Sequence, residues 1–156
     1  MGKWTLAALT AAGTVVLDHA SKAAVWYYLA PHGQVKVIPG FFDLTFVLNT
    51  GVAFGLLSGR SPGFRILGLV TFALCALAVI VYFLHTAKKD ERFFVLALAL
   101  IAGGAVGNAI DRLRLGAVID FLDFHAGAYH WPAFNVADAG ITVGTALIIL
   151  HLWRAR

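Results

Sequence analysis

The stretch Phe134–Trp153, FNVADAGITVGTALIILHLW, places a carboxylate at the beginning of a long apolar run. Residues 139–153 contain no Asp, Glu, Lys or Arg, which is typical of a helix that lies in a lipid bilayer. Asp138 stands directly before this run. An ionised aspartate costs about 2.5–3.5 kcal/mol at the centre of a membrane helix and less near the interface. The stretch therefore predicts a membrane helix that begins with a costly carboxylate, Asp138, for which a structural or chemical role is expected.

The whole chain has the composition of a membrane protein. It has 156 residues, of which 60% are hydrophobic and 13% charged, and its mean hydropathy is +0.83. This is too apolar for a soluble domain, and the length leaves no room for a second one. The first apolar run is not followed by a small-residue cleavage site, so we expect it to remain as an anchor helix. The sequence predicts an all-α polytopic membrane protein, a single domain over residues 1–156, with four transmembrane helices at about 4–29, 64–84, 93–110 and 138–153.

The basic residues predict how these helices are oriented. Most of them cluster in the N-terminal segment, the loop between the second and third predicted helices, and the C-terminal segment: Lys3, Lys88, Lys89, Arg92, Arg154 and Arg156. With four spans these segments share one side of the membrane, which the positive-inside rule makes cytoplasmic. Both termini are then cytoplasmic, and the loops at 30–63 and 111–136 face outward. Basic stripes suited to nucleic acid are absent, so no nucleic-acid partner is expected.

The first outer loop contains a pattern typical of strands. Apolar residues at 35, 37, 42, 44, 46 and 48 follow a two-residue period. Pro39-Gly40 and Asn49-Thr50-Gly51 provide residues suited to turns. We therefore expect a small antiparallel β-sheet in this first outer loop, on the outer membrane surface.

Polar residues that a membrane should penalise converge at the outer ends of the predicted helices. Asp18 and Lys22 are four residues apart, so they share one face of the first helix and can form an ion pair. The remaining members follow from the topology: Asn108, Asp111 and Arg112 come at the outer end of the third helix, Asp120 lies in the next loop, and Asn135 and Asp138 begin the fourth helix.

Most of these residues also have a purely structural interpretation. Asp138 can act as the N-cap of the fourth helix, whose N-terminus favours a negative charge. The Asp18–Lys22 pair can be a structural ion pair, and Asn108 with Arg112 can be interfacial anchors. Asp120 fits such an interpretation least, because Val118, Ile119, Phe121 and Leu122 surround it and no basic residue is adjacent.

Any catalysis by this chain must depend on carboxylates. The sequence contains no G-x-S-x-G, Ser–Lys or H-E-x-x-H motif. Cys75 is the only cysteine, and we interpret His125 and His130 as interfacial polar residues, so no metal site is expected. Two carboxylates held close together in a poorly solvated site cannot both ionise easily. The ionised one can then act as general base on water while the protonated one polarises a carbonyl, which is peptide hydrolysis of the aspartic type.

The chain resembles the lipoprotein signal peptidases (signal peptidase II), which are bacterial inner-membrane aspartic proteases. Five ordered blocks carry the resemblance: LDHASK at 17–22, NTGVAFGLL at 49–57, GGAVGNAIDR at 103–112, VIDF at 118–121 and FNVADAGIT at 134–142. The resemblance implies that Asp120 and Asp138 are the catalytic dyad. It also implies residues that line or brace the site: Asp18, Lys22, Asn49, Gly51, Asn108, Asp111, Arg112 and Asn135. His19 departs from the family, which usually has Gln there.

The resemblance further implies the substrate, a prolipoprotein whose cysteine already carries diacylglycerol, with cleavage just before that cysteine. No metal or organic cofactor is implied, and membrane lipid is the other expected partner. The expected location is the bacterial inner membrane, with the active site at the outer face. The sequence itself does not determine the oligomeric state, for which a monomer is the expectation. The alternative hypothesis is a small transporter or proton-relay subunit, but it predicts polar residues at several depths, whereas here they gather at one level.

Overall fold

The computed structural model describes residues 1–51, 61–88 and 90–154. The elements are, in chain order, α1 Lys3–Tyr28, β1 Gln34–Ile38, β2 Phe42–Asn49, α2 Pro62–Thr86, α3 Arg92–Leu115, β3 Val118–Ala126, β4 Tyr129–His130 and α4 Val136–Arg154. Several predicted features lie outside the described residues: positions 52–60 of the first outer loop, with Arg60, and the basic residues Lys89 and Arg156.

Three helices in the described part of the chain are long and apolar enough to cross a membrane. They are α2, α3 and α4, with mean hydropathies of 2.7, 2.2 and 1.6 over their most apolar windows. The helix α1 is 26 residues long but is not one of them, because Asp18, His19 and Lys22 make its second half too polar. Three candidate spans are therefore shown where the sequence predicted four.

The helix α3 lies at the centre of the helical bundle and packs against α1, α2 and α4. Glycines make this close packing possible. A Cβ atom on Gly103 would lie 2.8 Å from the carbonyl oxygen of Ala11 in α1. A Cβ atom on Gly144 of α4 would lie 2.6 Å from the carbonyl oxygen of Ala97 in α3. Small residues of this kind let helix backbones approach closely, and here they bring three helices together beneath the polar residues.

The sheet is antiparallel and small, as expected, but it is not confined to the first outer loop. Its order is β1-β2-β3-β4, and the last two strands come from the second outer loop. Asp120 therefore belongs to a strand, opposite Val47 of β2, and not to a loop. The strand β3 was missed because Asp120 and Asp123 interrupt the alternation of apolar and polar residues by which a strand is recognised.

The sheet packs against the end of α1. Val25 of that helix and Leu29, the residue directly after it, form a buried cluster with Ile119 and Phe121 of β3. This contact fixes β3, and Asp120 with it, relative to the helices. The strand β1 is exposed along its whole length.

The third helix extends further than the predicted span, which ended at residue 110. It continues to Leu115 and ends with Gly116, whose φ of 72° is the left-handed conformation that commonly closes a helix. Asp111 and Arg112 are thus held on a helix and not in a loop. Their side chains have a fixed position relative to Asn108, one turn earlier.

Candidate active site

The most deeply buried charges form a cluster around Lys22. Its ammonium lies 2.7 Å from Oδ2 of Asp18 and 2.8 Å from Oδ2 of Asp111. It also donates to Oδ1 of Asn108 at 3.1 Å. Lys22 is 1% exposed, Asp18 0% and Asp111 2%, so water screens these contacts little. The structure places the predicted Asp18–Lys22 pair in contact and adds Asp111 as a second carboxylate on the same ammonium.

Asp18 connects this cluster to the beginning of α4. Its Oδ1 accepts a hydrogen bond from the backbone N–H of Ala137 at 2.9 Å. That N–H belongs to the first turn of α4 and has no acceptor within the helix. The carboxylate approaches so closely because Gly107 has no side chain: a Cβ atom there would lie 2.6 Å from Oδ2 of Asp18.

Asn135 and Asp138 begin α4 with reciprocal hydrogen bonds. Oδ1 of Asn135 accepts from the backbone N–H of Asp138 at 2.9 Å, and Oδ2 of Asp138 accepts from the backbone N–H of Asn135 at 3.3 Å. This is the capping-box arrangement. The interpretation of Asp138 as the N-cap is therefore wrong, because Asn135 is the N-cap and Asp138 is the third residue of the helix. The box fixes the carboxylate of Asp138 at the positive end of α4.

Asp120 is buried, at 2% exposure, and its carboxylate is bound by two amides. Asn135 Nδ2 donates to Oδ1 at 2.7 Å, and Asn49 Nδ2 donates to Oδ2 at 2.9 Å. Loss of hydration raises the pKa of Asp120 from 3.8 to about 6, and the nearby charge of Asp138 acts in the same direction. The two amide hydrogen bonds oppose this increase only in part. Asp120 therefore holds a proton more readily than an ordinary aspartate.

Asp138 is likewise held by an amide. Asn108 Nδ2 donates to Oδ1 of Asp138 at 2.8 Å, while Oδ1 of Asn108 accepts from Lys22. Asn135 also donates to that Asn108 oxygen, at 3.2 Å. Asn108 and Asn135 thus connect the lysine cluster to both Asp120 and Asp138. Within the described ranges neither of these two carboxylates has a Lys or Arg nitrogen within 4.0 Å.

Asn49 is oriented toward Asp120 by the turn that follows it. Its Oδ1 accepts from the backbone N–H of Gly51 at 2.9 Å, which leaves the amide nitrogen free to donate to Asp120. Gly51 has a φ of 74°, and a Cβ atom there would lie 2.5 Å from Cδ1 of Leu69. The backbone conformation favours glycine at this position, whereas the contact with Leu69 is with the end of a flexible side chain.

Arg112 lies at the same level of α3 with much of its hydrogen-bonding capacity unused. Its Nη1 donates to the carbonyl oxygen of Asn108 at 3.3 Å. Its Nε is buried and has no partner among the residues that the structure describes. The charges of Asp138, Asp120 and Asp111 act on the guanidinium, although no carboxylate oxygen in the described ranges pairs with it. Arg112 can therefore still donate hydrogen bonds to a bound group.

A second polar group in the sheet was missed by sequence reasoning. His125 Nε2 lies 3.1 Å from Oδ2 of Asp43, and His130 Nδ1 lies 2.9 Å from Oδ1 of Asp123. The two imidazole rings stack at a centroid distance of 4.6 Å. The cross-strand pairing of positions 125 and 130 produces this arrangement, and it could have been predicted only if β3 and β4 had been recognised. Where the chain is described, no group of three or more His, Cys, Asp or Glu side chains is arranged to hold a metal ion.

These contacts separate four carboxylates, three of them buried and that of Asp138 half-buried, into two chemical kinds. Asp18 and Asp111 share one ammonium, which offsets part of their combined negative charge. Asp120 and Asp138 receive only neutral amide and backbone donors, which orient a carboxylate without supplying a positive charge. Asn135 touches both, through its side chain and its backbone N–H. Two neighbouring acids of this kind can share one proton and carry out acid–base chemistry.

Comparisons with known proteins agree with this chemistry. The family described as signal peptidase (SPase) II matches residues 10–154. The lipoprotein signal peptidase of Desulforapulum autotrophicum is 48% identical over 139 residues, which cover 88% of this chain and 85% of that protein. The lipoprotein signal peptidase of Burkholderia mallei is 47% identical over 135 residues, which cover 86% of this chain and 80% of that protein.

Solved structures show the same fold. One bacterial membrane enzyme, solved by the in meso method at 1.9 Å resolution, superimposes with a TM-score of 0.82 at 33% identity and covers 94% of this chain and 91% of its own. A second, solved at 2.3 Å, gives a TM-score of 0.81 at 31% identity and covers 95% and 87%.

Proposed function

The chain belongs to the signal peptidase II family of membrane peptidases, and from that premise we propose that Asp120 and Asp138 are its catalytic dyad. The protein is a peptidase that removes the signal peptide from prolipoproteins. The observation that carries the assignment is the pair of carboxylates connected by Asn135 and free of any cationic partner in the described ranges. The other buried aspartates of the helical bundle, Asp18 and Asp111, are already bound to Lys22.

The proposed reaction needs one proton on the dyad. The ionised carboxylate takes a proton from water while the water oxygen bonds to the scissile carbonyl carbon, and the protonated carboxylate gives its proton to the carbonyl oxygen. The resulting diol collapses as the C–N bond breaks. One proton passes to the leaving amine, and the dyad again holds one proton. The raised pKa of Asp120, about 6, favours this singly protonated state.

The surrounding amides and cations have supporting roles in this proposal. Asn49, Asn108 and Asn135 hold the carboxylate oxygens in place and, being neutral, leave the charge of the dyad available for proton transfer. Gly51 permits the turn that aims Asn49. Arg112, with its buried and unpartnered Nε, is placed to bind a carbonyl or phosphate oxygen of the substrate. All these groups come from one chain, so the proposal requires no second copy.

We further propose that α1 is the fourth span and that both termini are cytoplasmic. At about 1.5 Å per residue a helix of 26 residues is about 39 Å long, enough to cross the bilayer core. Its polar residues Asp18 and Lys22 are buried against α3 and α4, so they do not contact lipid. Lys3 donates to the carbonyl oxygens of His85 and Ala87, which brings the N-terminus to the end of α2.

The basic residues support the orientation. Lys3, Lys88, Arg92 and Arg154 lie at the helix ends opposite the dyad, and His151 Nε2 lies 3.8 Å from Glu91 Oε1 at that same end. The positive-inside rule makes this end cytoplasmic and places Asp120 and Asp138 at the outer level of the bacterial inner membrane. A cysteine at Ala128, on the exposed turn between β3 and β4, should react with an impermeant thiol reagent in intact cells when Cys75 is replaced. A cysteine at Asp90 should react only after the membrane is opened, and the opposite pattern would contradict the orientation.

We propose that the substrate is a prolipoprotein with a diacylglyceryl group on its cysteine and that cleavage falls before that cysteine. The test is processing of such a prolipoprotein by the purified protein in detergent, followed as a mobility shift on a gel. The matched control is the same prolipoprotein without the lipid. Cleavage of the lipidated form alone is expected. Equal cleavage of both forms would reject the requirement for lipid, and a cut site elsewhere would reject the proposed bond.

A further inference from the structure

A cavity of about 580 Å³ opens between α1 and α3, beside the lysine cluster. Lys22 and Asp111 form part of its inner wall, while Trp26, Tyr27 and Arg114 lie nearer the helix ends. Its size falls within the range of about 300–1,000 Å³ that is usual for small-molecule sites. In the described ranges, no residue of this wall forms a hydrogen bond with the side chain of Asp120 or Asp138. The wall residue Ile119 and Asp120 do share a donor, because Asn135 Nδ2 donates to the carbonyl oxygen of Ile119 and to Oδ1 of Asp120. The cavity wall thus contains none of the described hydrogen-bond partners of the dyad.

The charge available in this cavity is positive. The charge of Lys22 is already shared by Asp111 at 2.8 Å and Asp18 at 2.7 Å, so the positive charge that remains available is that of Arg114. Arg114, in the last turn of α3, makes no hydrogen bond or ion pair with any residue in the described ranges. His19 also lines the cavity, and its Nε2 is buried without a partner in the described chain. A guanidinium without a carboxylate, next to a ring nitrogen without a hydrogen bond, suits an anionic group with several oxygen acceptors.

The other lining residues indicate where such an anion comes from. Trp26 and Tyr27 are 47% and 74% exposed, and these residue types concentrate at the level of the lipid head groups. Leu115 and Ile119 supply apolar wall in the same cavity. A phospholipid has a phosphate at this level and acyl chains that continue into the bilayer. The phosphate therefore suits the polar part of the lining, and the acyl chains suit the apolar part.

We propose that this cavity binds an anionic membrane phospholipid, with its phosphate on Arg114 and its acyl chains along α1 and α3. Arg114 is preferred over Lys22 because the guanidinium is unpaired and binds phosphate through two parallel hydrogen bonds. The bound lipid fills the space between α1 and α3 and holds the two helices together. The proposal concerns a site separate from the dyad and does not depend on which substrate the dyad cleaves.

The test measures thermal unfolding of the delipidated protein in a nonionic detergent. Phosphatidylglycerol should raise the melting temperature in a saturable way. The dissociation constant derived from this titration should be higher by about tenfold or more in Arg114→Gln. Arg114→Lys keeps the charge and should bind with intermediate strength. Arg154→Gln is the matched control, because it removes an arginine from the opposite helix end and should leave lipid binding unchanged.

Two further ligands identify which part of the lipid is recognised. Diacylglycerol with the same acyl chains lacks the phosphate and should give little stabilisation. Inorganic phosphate lacks the chains and should act only at much higher concentration. Equal binding by wild type and Arg114→Gln, or equal stabilisation by diacylglycerol, would overturn the proposal. Full stabilisation by inorganic phosphate alone would show a site for free anions and would also overturn it.

Discussion

The four carboxylates that gather near the ends of α1, α3 and α4 differ in what binds them. Asp18 and Asp111 share the ammonium of Lys22 at 2.7 and 2.8 Å. Asp120 and Asp138 receive hydrogen bonds from asparagine amides and a backbone N–H. Three of them are buried and Asp138 is half-buried, yet an ammonium contacts only the first pair. Burial alone therefore does not identify a reaction centre.

The difference separates structural from chemical roles. A carboxylate that shares a buried ammonium holds helices together, because its loss would leave the buried lysine without that partner. A carboxylate oriented by neutral amides keeps its charge and can exchange a proton. The first pair joins α1 to α3 and α4, and this rigid arrangement positions Asn108, which contacts both pairs. We accordingly expect substitutions in the first pair to affect stability and those in the second to affect cleavage.

The largest effect on stability is expected from Lys22→Met. This change leaves Asp18 and Asp111 buried without their cation, a situation that costs about 3–5 kcal/mol. The melting temperature in detergent should fall steeply. Lys36→Met, on the exposed strand β1, is the matched control and should leave the melting temperature unchanged. A Lys22→Met protein as stable as wild type would break the assignment of a structural role to the first pair.

Gly107→Ala should destabilise the contact between α1 and α3. The added methyl group would lie 2.6 Å from Oδ2 of Asp18, and overpacking of this kind costs about 1–3 kcal/mol. Gly13→Ala in α1 is the control, because a methyl group there meets nothing within 4 Å. The two variants, compared by melting temperature, separate crowding of Asp18 from the general effect of adding a methyl group to a helix. Equal melting temperatures would show that the packing around Asp18 is loose.

Asn135 contacts both members of the dyad, so its two functions can be separated. Asn135→Ala removes the N-cap of α4, at a cost of about 0.5–2 kcal/mol, together with the amide donor to Asp120. Asn135→Ser can still cap the helix but has no amide to reach Asp120. We expect serine to restore the melting temperature but not the cleavage rate. Recovery of both by serine would mean that Asn135 acts through the helix cap alone.

The stability of the protein should also depend on pH. The pKa of Asp120 rises from 3.8 to about 6 on folding, so between these values the folded protein binds more protons than the unfolded chain. Its contribution to stability is present below about pH 4 and is lost as the pH rises through about 6. The melting temperature of wild type should therefore fall across this range relative to that of Asp120→Asn. Parallel curves for the two proteins would contradict the raised pKa.

Much of this architecture could be predicted from the sequence, because the signals are local. Apolar runs gave α2, α3 and α4, and the spacing of Asp18 and Lys22 gave a contact that the structure contains. The family resemblance supplied Asp120 and Asp138 as the expected dyad. The end of α3 at Leu115 was not predicted, because Asp111 and Arg112 resemble loop residues when their buried partners are unknown.

Features that depend on contacts between distant segments were not predicted. Nothing local indicates that β3 pairs with β2, or that Asp111 joins Asp18 on one ammonium. The structural alternative for Asp138 was an N-cap, because aspartate is favoured there, whereas the cap is Asn135 and the aspartate closes the reciprocal hydrogen bond three residues later. Likewise, the polar residues of α1 suit a membrane helix only because α3 and α4 bury them.

The most direct test of the central claim compares three single substitutions by cleavage and by unfolding in the same preparations. Asp120→Asn and Asp138→Asn should each lose about 10³-fold or more of the rate on a diacylated prolipoprotein, because each removes a proton-transfer partner, and both should keep a wild-type melting temperature at pH 7 or exceed it. Asp18→Asn should lower the melting temperature and lose activity only as far as the folded fraction falls. Substantial cleavage by either dyad variant, or loss of cleavage by Asp18→Asn with unchanged stability, would contradict the division of the four carboxylates into structural and catalytic pairs.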